Sequence, residues 1–137
     1  MTTREKKLFL NKHRGLVLRI HDLENELDTV VSQMDICTDV KQLEELHASR
    51  DSLIRRINRL NEKRNTTGFV IEKAIDNIGD DVWRAILQQH YLDGVELDDI
   101  GDYMGYSHRG VVDQCKWGVR AIMLPYPDTI STTSKRS

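Results

Sequence analysis

A chain of 137 residues with a formal net charge of −2 has room for one compact domain, or a small domain with an extended helical element, and excludes a large enzyme with a separate cofactor domain. Only 6% of the residues are aromatic while 31% are charged, a balance that favours long solvated helices over a large sheet core. No run approaches the about 20 apolar residues of a membrane span, and MTTREKKLFLNKHRG is too charged for a secretory leader, so a cytoplasmic protein without membrane contact is expected.

The apolar residues Leu16, Ile20, Leu23, Leu27, Val30 and Met34 alternate spacings of four and three, the heptad pattern of a helix with one apolar seam. Such a seam needs a partner, and these residues are the expected dimerisation surface. The pattern breaks at Asp35-Ile36-Cys37-Thr38-Asp39, where Thr38 or Asp39 can accept a hydrogen bond from the free N–H groups of a new helix. That helix carries Leu43, Leu46, Leu53, Ile57 and Leu60 on one face. The short turn makes the two helices antiparallel neighbours, so residues 1–66 are predicted to form a helical hairpin used for association. Arg55, Arg56, Arg59 and Lys63 project away from the seam and read as a solvated face.

Asn65-Thr66-Thr67-Gly68 has the small polar composition of a linker. A helix over Phe69 to Ile78 follows, and Asp80 and Asp81 suit the start of another that runs to about Leu92, where Asp93-Gly94 ends it. In the next segment Ile100 and Met104 point inward, Gly101 is small where two helix backbones approach, Gly105 takes the positive φ of a turn, and Ser107 caps a last helix over 107–122. There Val111, Cys115, Gly118, Val119 and Ile122 form an inward stripe, while Arg109, Asp113, Lys116 and Arg120 share the outward side. This is the grammar of a helix-turn-helix, whose second helix is held by its apolar half and meets base edges and phosphates with its polar half. Acidic residues crowd Asn65 to Met104, where Lys73 and Arg84 are the sole basic residues besides histidine; from Gly105 onward the balance reverses, so positive charge falls on the element that would touch DNA. The predicted organisation is all-α: hairpin 1–66, helix-turn-helix module 67–124, disordered tail 125–137.

The stretch from Asp81 to Ile122 resembles region 4 of sigma-70-type factors and the sigma-like modules of small phage transcriptional regulators of the ArpU and RinA kind. His90-Tyr91-Leu92-Asp93-Gly94 matches the family's helix ending in a Tyr-x-x-Gly turn, and Ile100, Gly101, Met104, Gly105, Ser107 and Val111 match its turn signature. The resemblance covers about a third of the chain. It implies a DNA-binding regulator, phage- or prophage-encoded and acting in a bacterial host cell, whose recognition helix presents His108, Arg109, Val112, Asp113 and Lys116 to double-stranded DNA. Ser107 caps that helix, and Arg120, with Lys135 and Arg136 of the tail, adds charge. The chain departs from the family at Gly110, Val112 and Asp113, where basic or amide residues are usual, and at Gln114, where a core aliphatic is common. Those departures, with Asp98, Asp99 and Asp102 on the preceding helix, point to a homodimer or an RNA polymerase partner as a source of affinity. The alternative is a protein-interaction module that binds host RNA polymerase or a host defence complex.

The histidines His13, His21, His47, His90 and His108 show no metal-ligand spacing, and Cys37 and Cys115 stand alone, so neither metal nor disulfide is expected. No phosphate loop, nucleophile elbow or paired-carboxylate setting stands out; no cofactor and no enzymatic activity are expected. Trp83 and Trp117 are assigned to core or interface.

Overall fold

The computed structural model describes residues 1–125; the expected disordered tail, apart from Pro125, lies outside the described residues. All regular structure within them is helical: α1 (Thr3–Ile36), α2 (Val40–Asp76), α3 (Asp81–Leu87) with a π-helical turn (Gln88–Leu92) continuing it, α4 (Leu97–Met104) and α5 (His108–Ala121). The all-α class and the N-terminal hairpin are as expected. At 1.5 Å per residue, the 34 residues of α1 and 37 of α2 make rods of about 50 and 55 Å.

Each long helix begins at a side-chain cap. The Thr2 hydroxyl accepts from Glu5 N–H at 3.1 Å while the Glu5 carboxylate accepts from Thr2 N–H at 3.2 Å, a reciprocal capping box. At the hairpin turn it is Asp39, of the two residues the sequence offers, that takes the cap role, accepting from Lys41 N–H at 3.1 Å.

The heptad seam is filled from within the chain. Ile20 and Leu23 are buried against Leu53 and Ile57 of α2, with Leu16, Leu27, Val30 and Leu60 packed around them. Each such side chain contributes about 1.5–3 kcal/mol when fully buried. Farther out the hairpin thins: from Glu24 to Ser52 no residue is buried, Val31 is 40% exposed, and Ile36 and Val40 stand in solvent at the tip. Arg55, Arg56, Arg59 and Lys63 are exposed, as a solvated face requires.

The expected linker does not exist. Asn65 to Gly68 lies inside α2, which runs unbroken to Asp76 and absorbs most of the separate helix expected from Phe69. The Thr66 and Thr67 hydroxyls donate back to the carbonyls of Glu62 and Lys63, both at 3.1 Å, so the polar groups that favour turns are satisfied within the helix. Gly68 leaves room for α1: a Cβ there would lie 3.3 Å from Cε1 of His13. Composition signals a turn, but packing against α1 overrides it.

The boundary expected between residues 66 and 67 falls inside α2. The main core gathers Leu10 of α1 and Ile71, Ala74 and Ile75 of α2 with Ile86, Leu87, Tyr91, Ile100, Val111, Cys115, Val119 and Ile122. The start of α1 and the end of α2 therefore belong to the same packed body as α3 to α5, and only the outer part of the hairpin stands apart from it. No helix among the described residues is long and apolar enough to cross a membrane.

Candidate nucleic-acid interface

Two short helices joined by a tight turn carry the candidate site. Gly105 has φ +80°, a conformation that L side chains rarely adopt, and Tyr106 N–H donates to the Gly101 carbonyl at 2.8 Å to close α4. A Cβ on Gly101 would meet Val111 Cγ1 at 3.1 Å and the Tyr106 carbonyl at 3.2 Å, so glycine permits the close approach of α4 and α5. Ser107 then caps α5, its hydroxyl accepting from Gly110 N–H at 3.1 Å.

The sides of α5 divide as the periodicity predicts. Val111, Cys115, Gly118 and Val119 are buried, with Ile122 just beyond the helix, while Arg109, Lys116 and Arg120 are exposed and Asp113 is half-buried. Val112 sits at the rim, 36% exposed. Among the described residues no salt bridge engages Arg109, Lys116 or Arg120. Their charges face water, available to an anionic partner.

His108 lies apart from them. Its Nδ1 pairs with a carboxylate oxygen of Asp98 on α4, both groups exposed, and that hydrogen bond and charge raise the histidine pKa above its ordinary value of 6.5. The pair ties the first turn of α5 to α4 and neutralises one of three acids there, leaving Asp99 and Asp102 exposed.

Several contacts that build this surface escape sequence reasoning. Gln114, standing where an aliphatic is usual, accepts a hydrogen bond from Trp83 Nε1–H at 2.8 Å, a polar contact between α3 and α5. Trp83 packs against the core, whereas Trp117 is 43% exposed. Gly118 lets the helices cross closely, since a Cβ would lie 3.2 Å from Leu87 Cγ and 3.3 Å from Trp83 Cβ. Arg14 of α1 reaches across to donate to the carbonyls of His90 (3.1 Å) and Gly94 (3.2 Å) and to the Glu96 carboxylate (3.0 Å). It thereby caps the π-helical turn and holds the entry to α4. No local pattern marks these pairings, because each partner is distant in sequence.

The residues expected to dimerise are placed differently. Ile20 and Leu23 are consumed within the hairpin, Leu16, Leu27 and Val30 pack on the same cluster, and Met34 is half-buried near the tip. A heptad seam needs one partner, and α2 of the same chain is that partner.

Set against protein-family models, curated proteins and solved structures, the chain matches none. The functional reading therefore stands on the residues themselves. Among the described residues no group of three or more His, Cys, Asp or Glu side chains is placed to hold a metal ion. The cysteines are free, Cys37 half-buried and Cys115 buried. Burial pushes the Cys115 thiol pKa up, outweighing the opposing effect of the Tyr91 hydroxyl at 3.9 Å, a setting that suppresses thiolate chemistry.

Proposed function

We propose that this chain regulates transcription by binding duplex DNA, with α4 and α5 acting as a sigma-region-4-like helix-turn-helix and α5 entering the major groove. The observation that supports this is the division of α5: a buried apolar side facing α3 and α4, and an outward side whose Arg109, Lys116 and Arg120 engage no ion pair among the described residues. A groove-binding helix needs that combination, rigid support behind and uncommitted donors in front. Arg109, in the first turn, is the residue suited to a bidentate base contact, and Lys116 and Arg120 to phosphates. The origin of the chain in a phage or prophage belongs to this reading.

Because the Leu16 to Met34 seam is occupied by α2, this reading places the contact of a homodimer on the outer hairpin, where Val31, Ile36 and Val40 remain exposed. Two copies joined there would present two α5 helices to two half-sites.

The test is selection from a random duplex library at about physiological salt, where unspecific binding is already weak. The wild type should enrich a motif and Arg109→Ala should not; an inverted repeat would establish the dimer on DNA. Enrichment of the same motif by both proteins would remove Arg109 from its assigned role.

One observation favours a second reading, a protein-interaction module directed at host RNA polymerase or a defence complex. Tyr103 is 86% exposed on α4, one residue after Asp102 and one turn after Asp99, both exposed, an aromatic beside charge that can anchor a protein contact. Under it, host-protein capture survives Arg109→Ala and is lost in Asp99→Asn/Asp102→Asn.

A further inference from the structure

The first turns of α1 carry Arg4, Lys6, Lys7 and Lys12 against one acid, Glu5, whose carboxylate is already bound to the Thr2 N–H. Contacts remote in sequence hold this segment beside α5. Lys6 Nζ donates to the Arg120 carbonyl at 3.0 Å, which anchors α1 on the last turn of α5 and suits the negative end of that helix. Leu10 lies in one buried cluster with Val119 and Ile122, and Met1 and Phe9 pack against it. The charge of Lys7 is felt at the Cys115 thiol in the middle of α5. Arg4 and Lys7 are exposed, and no salt bridge among the described residues engages either.

We infer that the start of α1 is a second phosphate-gripping element, continuous with α5, in which Arg4 and Lys7 hold the backbone of the duplex whose groove α5 enters. The inference rests on the DNA-binding reading of α5 and adds to it residues from the opposite end of the chain. Charge placement gives its direction. Near the N-terminus of α5 the exposed Asp99 and Asp102 of α4 repel phosphates, whereas toward its C-terminus Lys116 and Arg120 are joined by the basic start of α1. A backbone strand running past α5 is drawn to that end. Lysine and arginine on an exposed helix act there as charges that position the duplex without reading its sequence.

The experiment measures binding of the full chain to its selected duplex and to a random duplex across a salt series. Wild type is compared with Arg4→Glu/Lys7→Glu and with Arg55→Glu/Arg59→Glu, which makes the same charge change on exposed hairpin residues. Lys6 is kept because its contact holds the helix in place, and circular dichroism melting checks that all proteins fold alike. The α1 variant should weaken binding to both duplexes by a similar factor, on the order of tenfold or more, and lower the slope of log affinity against log salt by about 2. The hairpin variant should do much less. Binding by the α1 variant with an unchanged slope, or an equal loss in the hairpin variant, would overturn the role of α1 while leaving α5 as a reader. Absence of binding by the wild type to any duplex would overturn both.

Discussion

Nδ1 of His13 on α1 lies 2.6 Å from the hydroxyl oxygen of Thr67 on α2. The Thr67 proton is committed to the Lys63 carbonyl, so the hydroxyl accepts and the imidazole donates from Nδ1–H. The ring is 4% exposed. Burial, reinforced by the nearby Arg64 charge, lowers its pKa below 6.5. His90 is a second such group: burial dominates in lowering its pKa, against the opposing effect of its hydrogen bond to the Val95 carbonyl at 2.8 Å.

These two histidines make stability depend on pH in a stated direction. Their folded pKa values are depressed, so their contribution is fully present above about pH 6.5 and is lost as pH falls from there through the folded values, where the unfolded chain binds protons that the folded one resists. Each can add a slope of up to about 1.4 kcal/mol per pH unit in that window. His108 has the opposite sign, stabilising below pH 6.5, but its exposed pair with Asp98 is screened and weak. Urea denaturation at pH 7.5 and 5.5 should show the loss at the lower pH, reduced in His13→Gln. Equal slopes in wild type and variant would rule out His13 as a source.

Arg14→Met keeps the aliphatic bulk of the side chain but removes its donors to the His90 and Gly94 carbonyls and to Glu96. Hydrogen bonds to charged groups contribute about 1.5–3 kcal/mol each, and partial rehydration of the freed carbonyls offsets some of that, giving an expected loss of about 2–4 kcal/mol. Hydrogen exchange should locate the weakening at residues 90–96. Unchanged protection there would mean that the carbonyls find other donors.

Substitution of two helical glycines should have opposite outcomes. Nothing lies within 4 Å of a Cβ at the exposed Gly15, so Gly15→Ala should stabilise by about 0.5–1 kcal/mol through helix propensity. At Gly118 a side chain meets Leu87 and Trp83, so Gly118→Val should cost about 1–3 kcal/mol by overpacking. A harmless Gly118→Val in thermal denaturation would contradict the closeness of the α3–α5 crossing.

The Gln114 to Trp83 bond can be isolated by a double-mutant cycle of Gln114→Leu and Trp83→Phe. A neutral hydrogen bond predicts a coupling of about 0.5–1.5 kcal/mol. Additive effects would mean that the indole N–H is satisfied equally well by water.

What the sequence revealed was what is periodic. The seam from Leu16 to Met34 and the stripe from Val111 to Ile122 are repeated along a helix, so burial on one side leaves a regular trace. Gly105 and Ser107 were legible because a left-handed turn and a cap each demand particular residue types. Asn65 to Gly68 misled because threonine and glycine favour turns in isolation, and the feature that keeps them helical is His13, some 50 positions away. The occupant of the seam was open for a related reason: a heptad calls for a partner but does not say whether it comes from the same chain. The contacts of Arg14 and Lys6 left no trace, since they fall on backbone carbonyls, which carry no residue identity, and Gln114 stood out without showing that Trp83 is its partner.

The bond from Lys6 to the carbonyl of Arg120 closes the fold across a separation of 114 residues. A chain emerging from the ribosome can wind its hairpin early, but Leu10 and the first turns of α1 must wait for Val119 and Ile122 before their apolar surface is covered. The first turns of α1 are thus secured only once α5 has been made, and loss of their contacts should in turn loosen the last turn of α5.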